Sequence, residues 1–508
     1  MSLSRLAACL LAAAVLATAC QAAGGGDLSI AMEDLVVDPA AQLEPTESAT
    51  VDGPGATFGP DDSPTVAGPS AGPSAGPTPP GERTEGGEGG PTETGGRDWS
   101  ALEMGRGVTE DTITLGIHSS SDLTAAFAAI GANATAVDEG QVSRALVNWF
   151  NERGGLAGRR IDIVLHETNP VNGSFAQQAQ AACATFTQDN EVFVVMSSAV
   201  GGDDSMLRCL AERDQPLIEG NLWLFDEPYF QQHRGILYQP ARMMADRWVR
   251  VYVDGLNELG YLEEGRDGLG LLRFDAPVFE RMSNNVFKPR LQQLGYTLTD
   301  EVVIQSPKGV GDFGGMANEL NAAVLRMKAK GVTHLMFLEN NGIAAFFFFG
   351  QAESQGFRPR YGFNSLDILG TMENNADPMQ LQNAVGVSFY PPSDLNGDRD
   401  HLGNNPNLLL CEQIMRDAGL LTTGYYVQPR CDAFFFLAEA LRHAPALTKE
   451  GLLTGVEALG TSYQGSMAPH SYTRFGRGDY DGVNSWIPVA YRMGCECFVH
   501  AGDVRRLP

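Results

Sequence analysis

The sequence predicts an α/β fold in which two lobes, each a mostly parallel sheet covered by helices, follow one another along the chain. Three observations predict it. Strand-like and helix-like patterns alternate from about residue 104 onward, which implies parallel strands joined by helical crossovers. The alternation completes one round and then begins a second. The roughly 400 residues that carry it hold enough apolar content for two conventional domains, and the residues before them do not.

In the first round Ile113 to Ile117 alternates as a strand, and Val142, Ala145, Leu146, Trp149 and Phe150 recur at helical spacing until Gly154 and Gly155 end the run. A strand Ile161 to Leu165, a helix from about Ser174 to Thr187, a strand Val192 to Met196, a helix through Met206 to Glu212 and a short strand Pro216 to Ile218 follow. The second round begins with a helix Met243 to Leu259 and continues through the strand Leu269 to Phe274, a helix Val278 to Leu294, the strand Val302 to Ile304 and a helix Gly315 to Lys330. It closes with the strand Thr333 to Leu338, a helix carrying Phe346 to Phe349, and Arg360 to Phe363. The Phe346 to Phe349 and Phe434 to Phe436 runs read as core.

Three stretches together carry a family resemblance: Val108 to Ile117; Asn148 to Ile163, with its Asn-x-x-Gly-Gly-Leu-x-Gly-Arg turn from Asn151 to Arg159; and Ala181 to Cys183 ahead of Val192 to Val195. The chain resembles the substrate-binding proteins of branched-chain amino-acid ABC transporters, of the type I periplasmic binding fold related to Leu/Ile/Val-binding protein. The likeness covers the first lobe well and the second by pattern, with Leu269 to Phe274, Asp275 and Phe279 as its anchor. It implies two Rossmann-like lobes joined by a multi-strand hinge, a small-molecule solute held between them, and an ABC permease and ATPase as partners. The organisation expected is 1–19 a signal peptide, 20–103 a lipidated N-terminus and linker, 104–241 the first lobe, 242–390 the second, 391–470 a return to the first, and 471–508 part of the second lobe or hinge. Crossings are expected near Gln239 to Ala245 and Phe389 to Asp394. In the family a disulfide links the helix before the third strand to the helix after it, which implies a Cys183–Cys209 bond.

Ligands of open α/β sheets sit beyond the carboxyl ends of strands, where helix N-termini and free N–H groups meet polar groups. The expected contacts are therefore Ser120 and Asp122 after the first strand, Ser197, Ser198 and Ala199 after the third, and Glu219 and Asn221 after the fourth. Across the cleft stand Asp275, Phe279, Glu339, Asn340 and Asp367. The resemblance makes Ser197 and Ser198 a carboxylate-binding turn, and an acid of the second lobe could pair with a ligand amine. Serines after strands also serve as helix caps, and acids at loop ends are commonly solvated. Phe279 departs from the family's Asp-Tyr-Gly form.

At the N-terminus Arg5 precedes an apolar run, Leu6 to Ala19, too short to span a bilayer as a helix and suited to a secretory signal. Leu16 to Gln21 resembles the lipobox of bacterial lipoproteins, with Ala17 where Leu is preferred, and implies cleavage before Cys20 and lipidation of its thiol. Ordinary secretion with a spare thiol is the alternative. Residues 21 to 98 are rich in Gly, Pro, Ser and acids and cannot bury enough surface to fold. Between Gln21 and Ser100 stand 14 acids against 2 bases, a large share of the chain's net −27. As a coil, about 80 residues span roughly 50 Å and act as a spacer from a membrane. So acidic a chain is not suited to nucleic acid.

Six further cysteines in a secreted chain suggest disulfides. Proximity favours Cys183 with Cys209, Cys411 with Cys431 and Cys495 with Cys497, the last a strained Cys-x-Cys bridge with a metal site as its alternative. No zinc-protease, nucleophile-elbow or phosphate-loop motif occurs in the sequence. The reading is an extracytoplasmic, lipid-anchored, monomeric binder without cofactor or metal, not an enzyme, feeding an ABC importer. A sensor module signalling to a separate receptor or kinase is the other reading.

Overall fold

Nine residues, Thr112–Ser120, form the first strand, β1, and all but Thr112 and Thr114 are buried. Near-continuous burial marks a strand covered on both faces. The computed structural model describes residues 97–129, 131–132, 136–199, 204–220, 223–395, 405–422 and 426–508. The expected signal peptide, Cys20, the linker as far as residue 96, and Asn221 lie outside them.

The turn that carried the resemblance is built from its own side chains. The Asn151 amide donates to Ile161 O at 3.0 Å and accepts from Ile161 N at 2.7 Å, so the helix Glu139–Asn151 is fastened to the next strand, β2, Arg160–Thr168. Leu156 and Arg159 exchange backbone hydrogen bonds at 2.9 Å, which closes the loop so tightly that a Cβ on Gly155, φ 72°, would lie 1.8 Å from Arg159 O. Arg159, buried, donates from Nε to Thr109 O at 2.7 Å and braces the chain that enters β1.

The later strands are β3 Val194–Ser197, β4 Leu217–Glu219, β5 Leu237–Tyr238, β6 Leu269–Phe274, β7 Asp300–Ile304, β8 His334–Leu338, β9 Arg360–Asn364, β10 Val385–Ser388, β11 Ser485–Arg492, β12 Cys497–His500 and β13 Arg505–Arg506. One sheet runs β2-β1-β3-β4-β5, all parallel. The other runs β12-β11-β10-β9-β8-β6-β7 with β13 beside β11, parallel from β7 to β10 and antiparallel beyond. The first sheet thus holds a fifth strand where four are expected. At two residues β5 has no periodicity to read. The helix expected from Val278 to Leu294 carries a π-turn at Met282–Phe287 just before Pro289, whose missing N–H cannot close an α-turn.

Phe348, Phe349 and Phe434 to Phe436 are buried, and Phe346 and Phe347 pack partly buried against the core. The helices Pro406–Asp417 and Val427–His443 lie on Glu139–Asn151, with the Phe150 and Phe434 rings stacked at 6.1 Å, so a late segment covers the first sheet. Among the described residues three disulfides are present: Cys183–Cys209, Cys411–Cys431 and Cys495–Cys497. The first joins helices on either side of β3; its separation of 26 residues gives about 3 kcal/mol by loop entropy.

The chain passes between the sheets after β5, after β10 and before β11. The first and third passages are laced together: Gln239 N donates to Tyr480 O, Gly482 N to Gln239 O and Val483 N to Arg242 O, each at 2.9 Å. A Cβ on Gly482 would lie 1.9 Å from Pro240 O, so this approach needs glycine. Buried Asp481 accepts from Met244 N at 2.8 Å and pairs with Arg247.

Candidate functional site

Strand order fixes where a ligand can sit. β1 lies between β2 and β3, and β6 lies between β7 and β8, so each sheet reverses its winding there and opens a crevice at its carboxyl edge. The loops after these edges meet. The Arg281 Nε, after β6, pairs with buried Asp226, after β4, at 2.5 Å. Phe175 N donates to Lys308 O at 3.0 Å, and Trp223 meets Phe279 edge to face at 6.2 Å. Between them lies a cavity of about 450 Å³, lined by Asp204, Trp223 and Tyr229 from one set of loops and Asp275, Val278 and Lys308 from the other.

In the first crevice the expected serines are already engaged. Ser197 Oγ is 3.1 Å from His118 Nδ1, and Ser198 Oγ contacts both Glu139 Oε2 and the Arg430 guanidinium. Arg430 also donates to Met196 O and His118 O at 3.0 Å and pairs with Glu139 at 3.3 Å, both side chains 1% exposed. Ser120 N approaches Glu139 Oε1 at 3.4 Å. Burial pushes Glu139 up to about 7 against the pull of Arg430 and Ser198, and burial with the neighbouring His166 and Arg430 holds His118 down at about 3. Ala199 and Glu219 are buried; Asp122 is exposed, at φ 53°, and accepts from Asn169 at 3.1 Å.

In the second crevice Asp275 is exposed, accepts from Ser306 N at 2.8 Å and lines the cavity. The Phe279 ring is fully buried against Trp223 and Phe274. Glu339 accepts from Ala344 N and Ala345 N, each at 2.7 Å, capping the helix Ile343–Ser354, and burial pushes it up to about 8. Asn340 is buried with Oδ1 unpartnered. Buried Asp367 accepts twice from Asn364 at 2.8 Å, keeps Oδ1 unpartnered, and is held well above the carboxylate range by burial and Glu339.

Glu139, Arg430 and Arg242 enter this interior without having been singled out from the sequence. Arg430 carried a signal: it is a lone cation in the first helical turn ahead of an apolar run from Ala433 to Leu437. Glu139 and Arg242 carried none. Among the described residues no group of acidic, histidine or cysteine side chains could hold a metal ion.

Two α/β sheets linked by three passages, their carboxyl-edge loops meeting over a polar interior, define a ligand-binding clamshell. The chain belongs to the periplasmic binding protein family, whose profile matches residues 121–481. Among solved structures, a leucine-binding protein from Thermotoga maritima is similar at TM-score 0.55 and 12% identity, over 78% of this chain and 99% of that one. An ABC transporter substrate-binding protein from Desulfitobacterium hafniense, in complex with Leu, gives 0.52 and 16%, over 77% and 100%. A solute-binding protein of an ABC transporter from R. palustris, in complex with benzoate, gives 0.55 and 14%, over 77% and 96%. At these identities the likeness is one of fold. No curated protein matches the chain.

Proposed function

We propose that the protein is the extracytoplasmic, lipid-anchored solute receptor of an ABC importer, capturing an amino acid or a similar small polar solute as its two lobes close. The observation that carries this reading is the cavity of about 450 Å³ bounded by loops from both carboxyl edges, since a ligand there touches both sheets and so favours the closed form. Leucine and benzoate, bound by structural neighbours, set the size of solute to test first. Three disulfides support an oxidising compartment, and among the described residues no helix is long and apolar enough to cross a membrane. Attachment would then rest on Cys20, with the acidic linker as leash.

On this reading residues 104–241 and 391–470 act as one lobe and 242–390 with 471–508 as the other, and the chain works as a monomer handing solute to a permease with its ATPase. A thermal-shift screen of small polar metabolites tests it. A ligand at 100 times its dissociation constant adds about 2.7 kcal/mol of stability, and small-angle scattering then registers compaction. Chemical turnover of the bound compound would refute the reading.

A further inference from the structure

Of the three disulfides among the described residues, two are buried and one is not. Cys183, Cys209, Cys411 and Cys431 are buried, whereas Cys495 is exposed and Cys497 half-buried. The exposed bond spans a single intervening residue, Glu496, at the tip of the hairpin from β11 to β12. Cys497 faces Arg492 in that hairpin, two residues past Ala490, which is the partner of Val385 at the start of β10. The tip therefore stands at the amino edge of the second sheet, while the cavity is lined by loops from the carboxyl edge. The bond lies apart from the solute site.

The hairpin does not need this bond to hold its shape. Four residue pairs, from Val489 with His500 to Arg492 with Cys497, set its register. Phe498 N donates to Glu373 Oε2 at 2.7 Å, and the buried Phe498 ring meets Tyr491 at 5.3 Å and Phe363 at 5.9 Å. Bridging a loop that the ladder has already closed removes little further chain entropy. Glu496, with its side chain exposed, is meanwhile held at φ 52°, in the left-handed region where a residue with a Cβ is disfavoured. Opening the bond frees Glu496 to leave that conformation, which favours the dithiol form. An exposed disulfide is also open to attack by a thiolate, and such bonds are the more readily reduced ones.

We propose that Cys495–Cys497 is a thiol–disulfide exchange site that passes its disulfide to a partner dithiol, independently of solute binding. A partner thiolate attacks the Cys495 sulfur, the more exposed of the two. A mixed disulfide forms there, the Cys495–Cys497 bond breaks, and Cys497 leaves as a thiolate and takes up a proton. Arg492, directly opposite Cys497 in the ladder, favours that departing anion. The partner's second thiol, losing its proton, then attacks the partner's own sulfur in the mixed disulfide and releases Cys495, which is protonated in turn. The partner is oxidised by two electrons to a disulfide and this chain is reduced by two electrons to a dithiol, so no further oxidant enters the turnover. The partner must carry two thiols close enough to bond, as a Cys-x-x-Cys segment does.

The test uses the oxidised full chain, its free thiols first blocked, mixed without air with one equivalent of a reduced Cys-x-x-Cys peptide. Acid quenching, alkylation and peptide mapping by mass spectrometry then read each cysteine. The expected result is oxidised peptide in step with newly alkylated Cys495 and Cys497, while Cys183–Cys209 and Cys411–Cys431 stay bonded and react about 100-fold more slowly or less. Glutathione, a monothiol, with rapid alkylation of the released thiol, should be found on Cys495 and not on Cys497. The paired variant, Cys495→Ser with Cys497→Ser, should leave the peptide reduced and keep the Tm of the wild type. A peptide left reduced by the wild-type chain, equal reactivity of the buried bonds, or an adduct on Cys497 overturns the proposal. So does a fall in Tm of the paired variant as large as that on converting Cys183 and Cys209 to Ser, which would make the exposed bond a staple of the fold.

Discussion

Replacing Arg430 by Met tests the interior of the first crevice most directly. The side chain is 1% exposed and serves four acceptors: Met196 O, His118 O, Ser198 Oγ and Glu139. Met fills much of the volume but leaves Glu139, also 1% exposed, without its cation and two carbonyls without their donor. Breaking a buried pair from one side costs about 3–5 kcal/mol. For a folded part of roughly 400 residues that is a fall of about 5 °C in Tm. Glu139→Gln should be milder, at about 1–2 kcal/mol, because the amide oxygen still accepts while Arg430 keeps its two carbonyls. Joining Glu139→Gln to Arg430→Met should recover part of the loss, since no charge is then stranded. Differential scanning calorimetry of the four proteins reads all of this. An Arg430→Met protein within about 1 kcal/mol of the wild type, or a double variant no better than the single, would refute the reasoning.

Stability should fall as pH rises between about pH 7 and pH 8.5, read as Tm in matched buffers. Glu139 and Glu339, pushed up from 4.5 to about 7 and about 8, hold protons in the folded chain that the unfolded chain has released, and that advantage is lost as pH passes through the folded values. His118, depressed from 6.5 to about 3, adds stability as pH rises only up to about its unfolded value, so it does not mask the fall; Glu339→Gln should flatten the curve. Converting Cys183 and Cys209 together to Ser should cost about 3 kcal/mol, seen as an earlier denaturant midpoint. Gly482→Ala, which sets a methyl against Pro240 O, should destabilise by about 1–3 kcal/mol in the same assay. Arg281→Ala removes the Asp226 pair between the two sets of loops, and a larger ligand-free radius of gyration by small-angle scattering is the expected result.

Much of the framework could be read from residue order. β6 is apolar but for Arg273, and Asn151, Gly155 and Arg159 lock the turn before β2 through their own side-chain and backbone geometry. β5 could not be read, because two residues show no alternation. The antiparallel strands β11 and β12 lie so far along the chain from β10 that local pattern says nothing of their pairing. The interior polar groups divide in the same way. That Ser198, Glu339 and Asp367 follow strands is plain from sequence; that Ser198 is held by Arg430, more than two hundred residues away, is a fact of tertiary packing. Position after a strand says where a side chain starts and not which internal donor reaches it first. Arg242 shows the converse, since nothing near it in sequence distinguishes a buried cation without a counter-charge from a solvated one.

The lacing of Gln239 to Asp481 and of Arg242 to Val483 turns two of the three linkers into a narrow two-stranded ribbon. A ribbon bends across its face far more easily than it stretches or shears, so on the solute-receptor reading proposed above the halves would swing like a door on one pin and not like a ball in a socket. Every opening would then return the same atoms to the same opposing atoms. The orientational search that a solute must await would reduce to a single angle, and a substitution that frays the ribbon would blur that angle before it touched any residue lining the cavity.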